Sequence, residues 1–204
     1  MPFTSQPPNS FYQQNSRREF NVKDFGALCD SSALGVGTDD TAAIQAAMNA
    51  AQLVNGTVLI PGRCKITAPL TASHSITIQG PGPASDSHGA TSGALGAIGY
   101  IPQGQIIKTH TNGDAITFTG NNSNKGYVVR DLGISSANDG QFHTAGAGIR
   151  LSSALSSFIE RVTVFHQYDG IVIDGDGWMT RIRDCEIGAT KRDGIRRVGG
   201  TNYH

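Results

Sequence analysis

VRDLGI (residues 129–134), IERVTV (159–164) and IRDCEI (182–187) decide the fold. In each, apolar residues take the first, fourth and sixth positions. The first two segments are offset by 30 residues, and the second and third by 23. A second set keeps step: AGI at 147–149, DGI at 169–171 and DGI at 193–195, offset by 22 and 24. A period near two dozen residues, with several short strands per repeat, predicts a parallel β-solenoid. Each repeat would lie about 4.8 Å above the last, the strand spacing of a sheet. Separate hairpins would account for the strands but not for the recurring period.

The charges agree with stacking. Alignment of the repeats puts Arg130, Glu160 and Arg183 in one column, and Asp131, Arg161 and Asp184 in the next. Both columns alternate in sign, so parallel in-register strands set opposite charges side by side. Each exposed contact contributes only about 0.2–1 kcal/mol. Its use lies in register, because like charges would oppose the pairing. Glu160 and Asp184 therefore read as ladder members rather than as catalytic acids.

Upstream, GTDDTAAIQAAMNAA (37–51) places two adjacent aspartates before an alanine-rich run. Ile44, Ala47, Met48 and Ala51 fall at i, i+3, i+4 and i+7, one face of a helix. Gln45, Asn49 and Gln52 lie opposite, and Asn55-Gly56 is a stop. Asp39 or Asp40 sits where an N-cap belongs, with a carboxylate able to accept first-turn N–H groups. The pair thus reads as a helix start, not as catalytic machinery. Short strands are expected at 21–25, 57–60, 66–70 and 76–79, with a break at Gly80-Pro81-Gly82-Pro83. Residues 1–20 read as a polar arm. Residues 84–100, with Asp86 and His88, read as a Gly/Ala/Ser-rich loop that is a third candidate for binding.

A chain of 204 residues with 38% hydrophobic content can bury a sizeable core, and its 26 glycines point to many turns. Sixteen basic residues balance sixteen acidic ones. That removes the electrostatic argument for nucleic acid or an anionic membrane. No stretch approaches the roughly 20 apolar residues of a membrane span, and the first 20 residues lack the apolar core of a secretory leader. Cys29, Cys64 and Cys185 are odd in number and have no CxxC spacing, which predicts free thiols and a reducing compartment. The six histidines form no metal-ligand spacing, so neither metal nor cofactor is expected.

NVKDFGA (21–27), TDDTAAIQAAMNAA (38–51), GTVLIPG (56–62) and ITIQGPG (76–82) resemble the N-terminal signature of the pectate-lyase-like right-handed β-helix superfamily. The resemblance is dense over residues 21–82; the later repeats agree in pattern only. It implies an all-β fold, a right-handed parallel β-helix whose open N-terminal end is covered by a short capping α-helix. The expected plan is an arm at 1–20 and a β-helix at 21–204. The latter divides into cap and first coils (21–82), a loop (83–100) and further coils (101–204), incomplete at the C-terminal end. The superfamily includes pectate lyases, polygalacturonases, other glycanases and bacteriophage tailspikes, and fold does not choose among them. The missing leader and unpaired cysteines favour the tailspike branch. On that expectation the chain is a virion tail component, assembled in the host cytoplasm. It attaches to other tail proteins through residues 1–20 and binds host surface polysaccharide, with degradation left open. Resemblance to tailspikes implies a homotrimer. Two alternatives stay open: an extracellular polysaccharide lyase or glycoside hydrolase, and a purely structural virion connector.

Candidate chemistry gathers late in the chain. IDGDGW (173–178) carries Asp174 and Asp176, candidate catalytic carboxylates, near Trp178, whose ring suits stacking on a sugar. Paired carboxylates cleave a glycosidic bond as acid plus base or nucleophile. The same Asp-Gly-Asp-Gly run also suits a tight turn, and Trp178 equally suits a chain–chain contact. Asp169 and Asp193, candidate substrate-binding residues, precede stacked glycines and would lie one strand spacing apart. Carboxylates that close repel, and either share a proton or bind a cation. An aspartate before a turn glycine is the plainer reading. Lys191, Arg192, Arg196 and Arg197 are near enough in sequence to supply the proton abstractor of a calcium-assisted lyase. No catalytic motif of the superfamily is intact, so the resemblance assigns none of these roles.

Overall fold

A computed structural model of the chain describes residues 18–32, 34–81, 104–120, 126–137 and 143–200. Most of the arm and the whole 84–100 loop, with Asp86 and His88, lie outside the described residues. What is described is mostly β, in two parallel sheets, with one α-helix.

The first sheet runs β1 (Glu19–Asn21), β2 (Thr57–Leu59), β5 (Thr77–Gln79), β8 (Val128–Ser136), β10 (Phe158–Phe165) and β12 (Arg181–Arg183). β13 (Glu186–Gly188) also pairs with β10, and β3 (Arg63–Ile66) joins through β6 (Gln105–Lys108) to β8. In the second sheet β4 (Leu70–Ala72), β7 (Ile116–Thr119), β9 (Ala147–Ser152), β11 (Asp169–Asp174) and β14 (Asp193–Val198) lie in that order. Strand pairs among the described residues are parallel throughout.

The register is the one the repeats demand. Val129, Ile159 and Ile182 align, as do Ile134, Val164 and Ile187. On the other sheet Ile116, Ile149, Ile171 and Ile195 form a column. Ile159, Val162, Val164, Ile149, Leu151 and Ile171 are buried in one core. Each such side chain contributes about 1.5–3 kcal/mol through burial.

The apolar pattern at positions one, four and six, rather than one, three and five, has a backbone cause. Asp131, Arg161 and Asp184 all adopt left-handed conformations, with φ of 55°, 50° and 53°. One such residue reverses the alternation, so Val129 and Leu132, or Ile159 and Val162, both face the core. The aspartates are among the residues that tolerate this conformation. Arg161 holds it while bonded to Asp131.

Helix α1 (Thr41–Gln52) buries Ile44, Ala47, Met48 and Ala51 against β1, β2, β4 and a 3-10 turn at Val22–Phe25. The two aspartates before it divide the work. Asp39 Oδ1 accepts the Thr41 N–H at 3.0 Å, and its Oδ2 accepts the Thr67 hydroxyl at 2.6 Å. Burial raises the Asp39 pKa, but these hydrogen bonds outweigh it and leave the carboxyl below its usual range. Asp40 occupies the N-cap position yet makes no cap bond. Its buried carboxylate turns away to accept the N–H groups of Leu28 (2.7 Å) and Cys29 (3.1 Å), fixing the loop that precedes the helix.

Several expectations need correction. Residues 21–25 are not a strand: β1 starts at Glu19, inside the segment set aside as an arm, and the 3-10 turn follows. The single strand expected at 66–70 is two strands, β3 and β4, separated by a bend that carries Pro69. The thiols are not all free. Cys29 and Cys64, 35 residues apart, form a disulfide, and Cys185 is the free cysteine among the described residues. A parallel bridge between Asp30 and Arg63 lays the two segments side by side. No described helix is long and apolar enough to cross a membrane.

Candidate functional site

The exposed columns of the first sheet behave as ladders. Arg130 donates to Gln79 Oε1 from Nε (3.1 Å) and Nη2 (2.9 Å). Glu160 accepts from Arg183 Nε at 2.9 Å and Nη2 at 2.5 Å. The Arg183 hydrogen bond, opposed by desolvation, holds the Glu160 carboxyl below its usual range. Arg161 donates to both oxygens of Asp131, at 2.6 and 3.0 Å. These carboxylates are occupied in holding register.

On the second sheet Asp169 and Asp193 are register partners, as expected. They do not form an unscreened acidic pair. Asp169 is 1% exposed and bonded by Arg192, whose Nε donates to Oδ1 at 2.8 Å and whose Nη2 donates to Oδ2. Arg196 Nη1 stands 3.7 Å from the same carboxylate. Asp193 lies 3.4 Å from Arg192 Nε and 3.9 Å from Arg196 Nε. The Arg192 guanidinium also covers the Tyr168 ring, 4.6 Å from its centroid. Its hydrogen bond to Asp169 outweighs desolvation and raises its pKa, so it stays charged. Two arginines expected as candidate bases are thus committed to two aspartates expected as candidate ligands.

The turn after β11 has a different character. Asp174 closes the strand with its side chain 42% exposed, 3.6 Å from Arg150 Nη1. Gly175, at φ 74°, turns the chain and donates its N–H to Val198 O at 2.8 Å. Asp176 Oδ1 is buried with no hydrogen-bond partner among the described residues. Trp178 follows, 46% exposed, with Met179 beside it at 65%. The Trp178 carbonyl accepts the Ser156 N–H at 2.7 Å, which ties this turn to the preceding repeat. The sequence-predicted residues Asp174, Asp176 and Trp178 therefore share one turn on a strand-backed platform.

A polar group inside the fold escaped the sequence reading. Lys108 is fully buried, its Nζ donating to Gly113 O at 2.6 Å and Gln167 Oε1 at 3.3 Å. Burial pulls its pKa down to about 8, with Asp114 acting in the opposite direction. His143, also fully buried, places Nε2 2.8 Å from Ser136 Oγ and Nδ1 against Thr111 O. Burial depresses the pKa of both His143 and His110. The signal for Lys108 was present: it stands two residues after Ile106, on the face that points inward. Its burial removes it from direct contact with a bulky substrate.

The ligand atoms of Cys29, Asp40 and Cys64 lie within 4.8 Å of one another. The sulfurs are joined and the Asp40 oxygens accept backbone N–H groups, so this cluster is structural.

No protein-family model and no curated protein sequence matches the chain. Solved structures do. The A-module of mannuronan C-5 epimerase AlgE4 from Azotobacter vinelandii superposes with TM-score 0.60 at 22% identity, over 90% of this chain and 50% of that one. ORF18 of Geobacillus virus E2 gives 0.57 at 21%, over 82% and 30%. The catalytic unit of a GH87 α-1,3-glucanase from Streptomyces thermodiastaticus strain HF3-3 gives 0.54 at 18%, over 95% and 33%. These neighbours are β-helix proteins, and the likeness establishes shared architecture. The chain spans half or less of the length of each.

Proposed function

We propose that the chain is the β-helical part of a bacteriophage tail component that binds host surface polysaccharide through the turn at 174–180. The observation that carries this reading is Trp178, a half-exposed indole tied through its carbonyl to the preceding repeat, in the same turn as the carboxylates of Asp174 and Asp176. An aromatic face next to hydrogen-bonding groups is what a sugar ring requires. The fold is shared with a viral protein and with two proteins named for action on polysaccharides, which agrees with the proposal. In this reading the parallel strands close into a right-handed solenoid with α1 over its N-terminal end. Three copies associate side by side, and residues 1–20 join the virion. The Cys29–Cys64 disulfide removes the free-thiol argument for this branch, so the reading rests on fold and turn.

A second reading is favoured by the two carboxylates in one turn: a polysaccharide lyase or glycoside hydrolase using Asp174 and Asp176. One set of experiments separates the two. Trp178 is the only tryptophan, so its fluorescence reports glycan contact directly when a polysaccharide panel is titrated. Saturable quenching without new reducing ends or unsaturated sugars supports binding alone. Release of either product, lost in Asp174→Asn or Asp176→Asn, supports the enzyme. Intact folding with no response to any host glycan leaves a structural connector.

A further inference from the structure

Asp176 Oδ1, Ser157 Oγ and Thr180 Oγ1 are buried oxygens without hydrogen-bond partners among the described residues. All three belong to one corner, where the second sheet hands the chain to the first. Ser157 directly precedes β10, and Thr180 directly precedes β12. Phe158 pairs with Arg181, and the Arg181 N–H donates to Ser157 O at 2.9 Å. Ser157 and Thr180 are therefore neighbours across one strand spacing, about 4.8 Å. Each stands two residues before a core-packed isoleucine, Ile159 or Ile182, so both hydroxyls lie on the inward face. Ser157 is fully buried. The turn carrying Asp176 lies against Thr180, since a Cβ on Gly177 would come within 3.7 Å of Thr180 Oγ1, and the Ser156 N–H bond to Trp178 O at 2.7 Å ties it to the segment that holds Ser157.

A buried hydroxyl without a partner is unfavourable, and a buried carboxylate oxygen more so. Each such group calls for a partner, and a bound ion or an ordered water is one that answers several at once. Arg150 and Arg192, on the neighbouring strands, are engaged with Asp114 and Asp169. All the available donors are oxygens, which selects a hard cation over zinc or copper. The Asp-Gly-Asp spacing of 174 to 176 matches the alternating carboxylates of calcium loops. We propose that this corner binds a calcium-class divalent cation, held by Asp176, Ser157 and Thr180, with Asp174 adding charge at the rim. Water fills the remaining coordination positions. The bound ion fixes the turn that presents Trp178.

The test uses calcium chloride alone and no glycan, so its outcome is independent of the proposed function. Calcium titrated into the purified chain is expected to change Trp178 fluorescence saturably at one equivalent and to raise the thermal midpoint, with magnesium weaker. Asp176→Asn should lower affinity at least tenfold. Ser157→Ala, which keeps every charge, should weaken binding by several fold, while Asp193→Asn should leave it unchanged. Absence of a saturable response at millimolar calcium overturns the proposal, as does wild-type affinity in both Asp176→Asn and Ser157→Ala. Should Asp176→Asn fail to fold, the Ser157→Ala titration decides alone.

Discussion

Arg150 grips both oxygens of Asp114, 36 residues earlier in the chain, at 2.7 and 3.2 Å. The same reach recurs higher in the sheet. Arg196 follows Arg150 in one column through Val172, and it lies 3.7 Å from Asp169. In each case an arginine three residues into a strand reaches an aspartate of the preceding strand's entry. Such repeated pairs fix the second sheet as the exposed ladder fixes the first.

Removal of the Asp169 carboxylate should therefore be felt in stability. Asp169→Asn or Asp169→Ala withdraws a buried acceptor from Arg192 and Arg196. A hydrogen bond involving a charged group contributes about 1.5–3 kcal/mol, and urea denaturation should show a loss of that order. Asp193→Asn, at a side chain 44% exposed, should change stability far less. Equal losses would mean that Arg192 is not held mainly by Asp169.

Stability should respond to pH through the interior polar group. Lys108 has a folded pKa near 8 against 10.5 in its ordinary environment. Burial disfavours its charged form relative to the unfolded chain, so this contribution to stability is fullest above pH 10.5 and falls as pH drops toward 8. The span is up to about 3 kcal/mol. Lys108→Met should flatten that limb in a series of denaturation curves.

Acid exposes a second limb. Burial, together with Lys108 and Lys191, lowers the pKa of His143 against the hydrogen bond to Thr111. The His143 contribution is complete above pH 6.5 and is lost as pH falls through the lower folded value. Glu160 and Asp39 follow, since their depressed pKa values stabilise the fold above 4.5 and 3.8 and lose that effect below. His143→Gln should delay the first fall in thermal midpoint and leave the second in place.

Two glycines separate backbone strain from close packing. Gly26 and Gly146 share φ 97°, but a Cβ at Gly26 meets nothing within 4 Å, while one at Gly146 falls 2.1 Å from Gly113 O. Gly26→Ala should cost about 1–2 kcal/mol, the left-handed penalty alone. Gly146→Ala should cost clearly more by chemical denaturation, or prevent folding.

Reduction gives a further check. The Cys29–Cys64 bond closes a loop of 35 residues, for which the chain-entropy account gives about 3–4 kcal/mol. Dithiothreitol, or a Cys29→Ala and Cys64→Ala double substitution, should lower unfolding stability by that order. An unchanged denaturation midpoint would show that the thiols are not joined in solution.

Much of the architecture could be read beforehand because stacking imposes a period that sequence must carry. Ile159 lies beside Val129 and Ile182 as the offsets required. The alternating charges of Arg130, Glu160 and Arg183 were legible for the same reason. What escaped depended on approaches between unlike segments. Nothing in the spacing of Cys29 and Cys64 announces that the loop before α1 runs alongside β3. Lys108 drew no attention, though the alternation from Ile106 pointed it inward. The register of Asp169 with Asp193 was foreseeable. The arginines that neutralise them were visible only as a basic cluster, since a guanidinium reaches across strands in directions a linear pattern does not encode.

The spacing between partnered residues is uneven: 30 from Asp131 to Arg161, 23 from Glu160 to Arg183, and 42 from Arg63 to Gln105. Strands are held to strict alignment while the segments joining them vary freely in length. New surface can thus be grafted at a connection without retuning the interior, whereas loss of one residue inside β10 would turn its apolar side outward. The scaffold is rigid where it is inherited and permissive where it meets the outside world, which is how one architecture can acquire many different recognition edges.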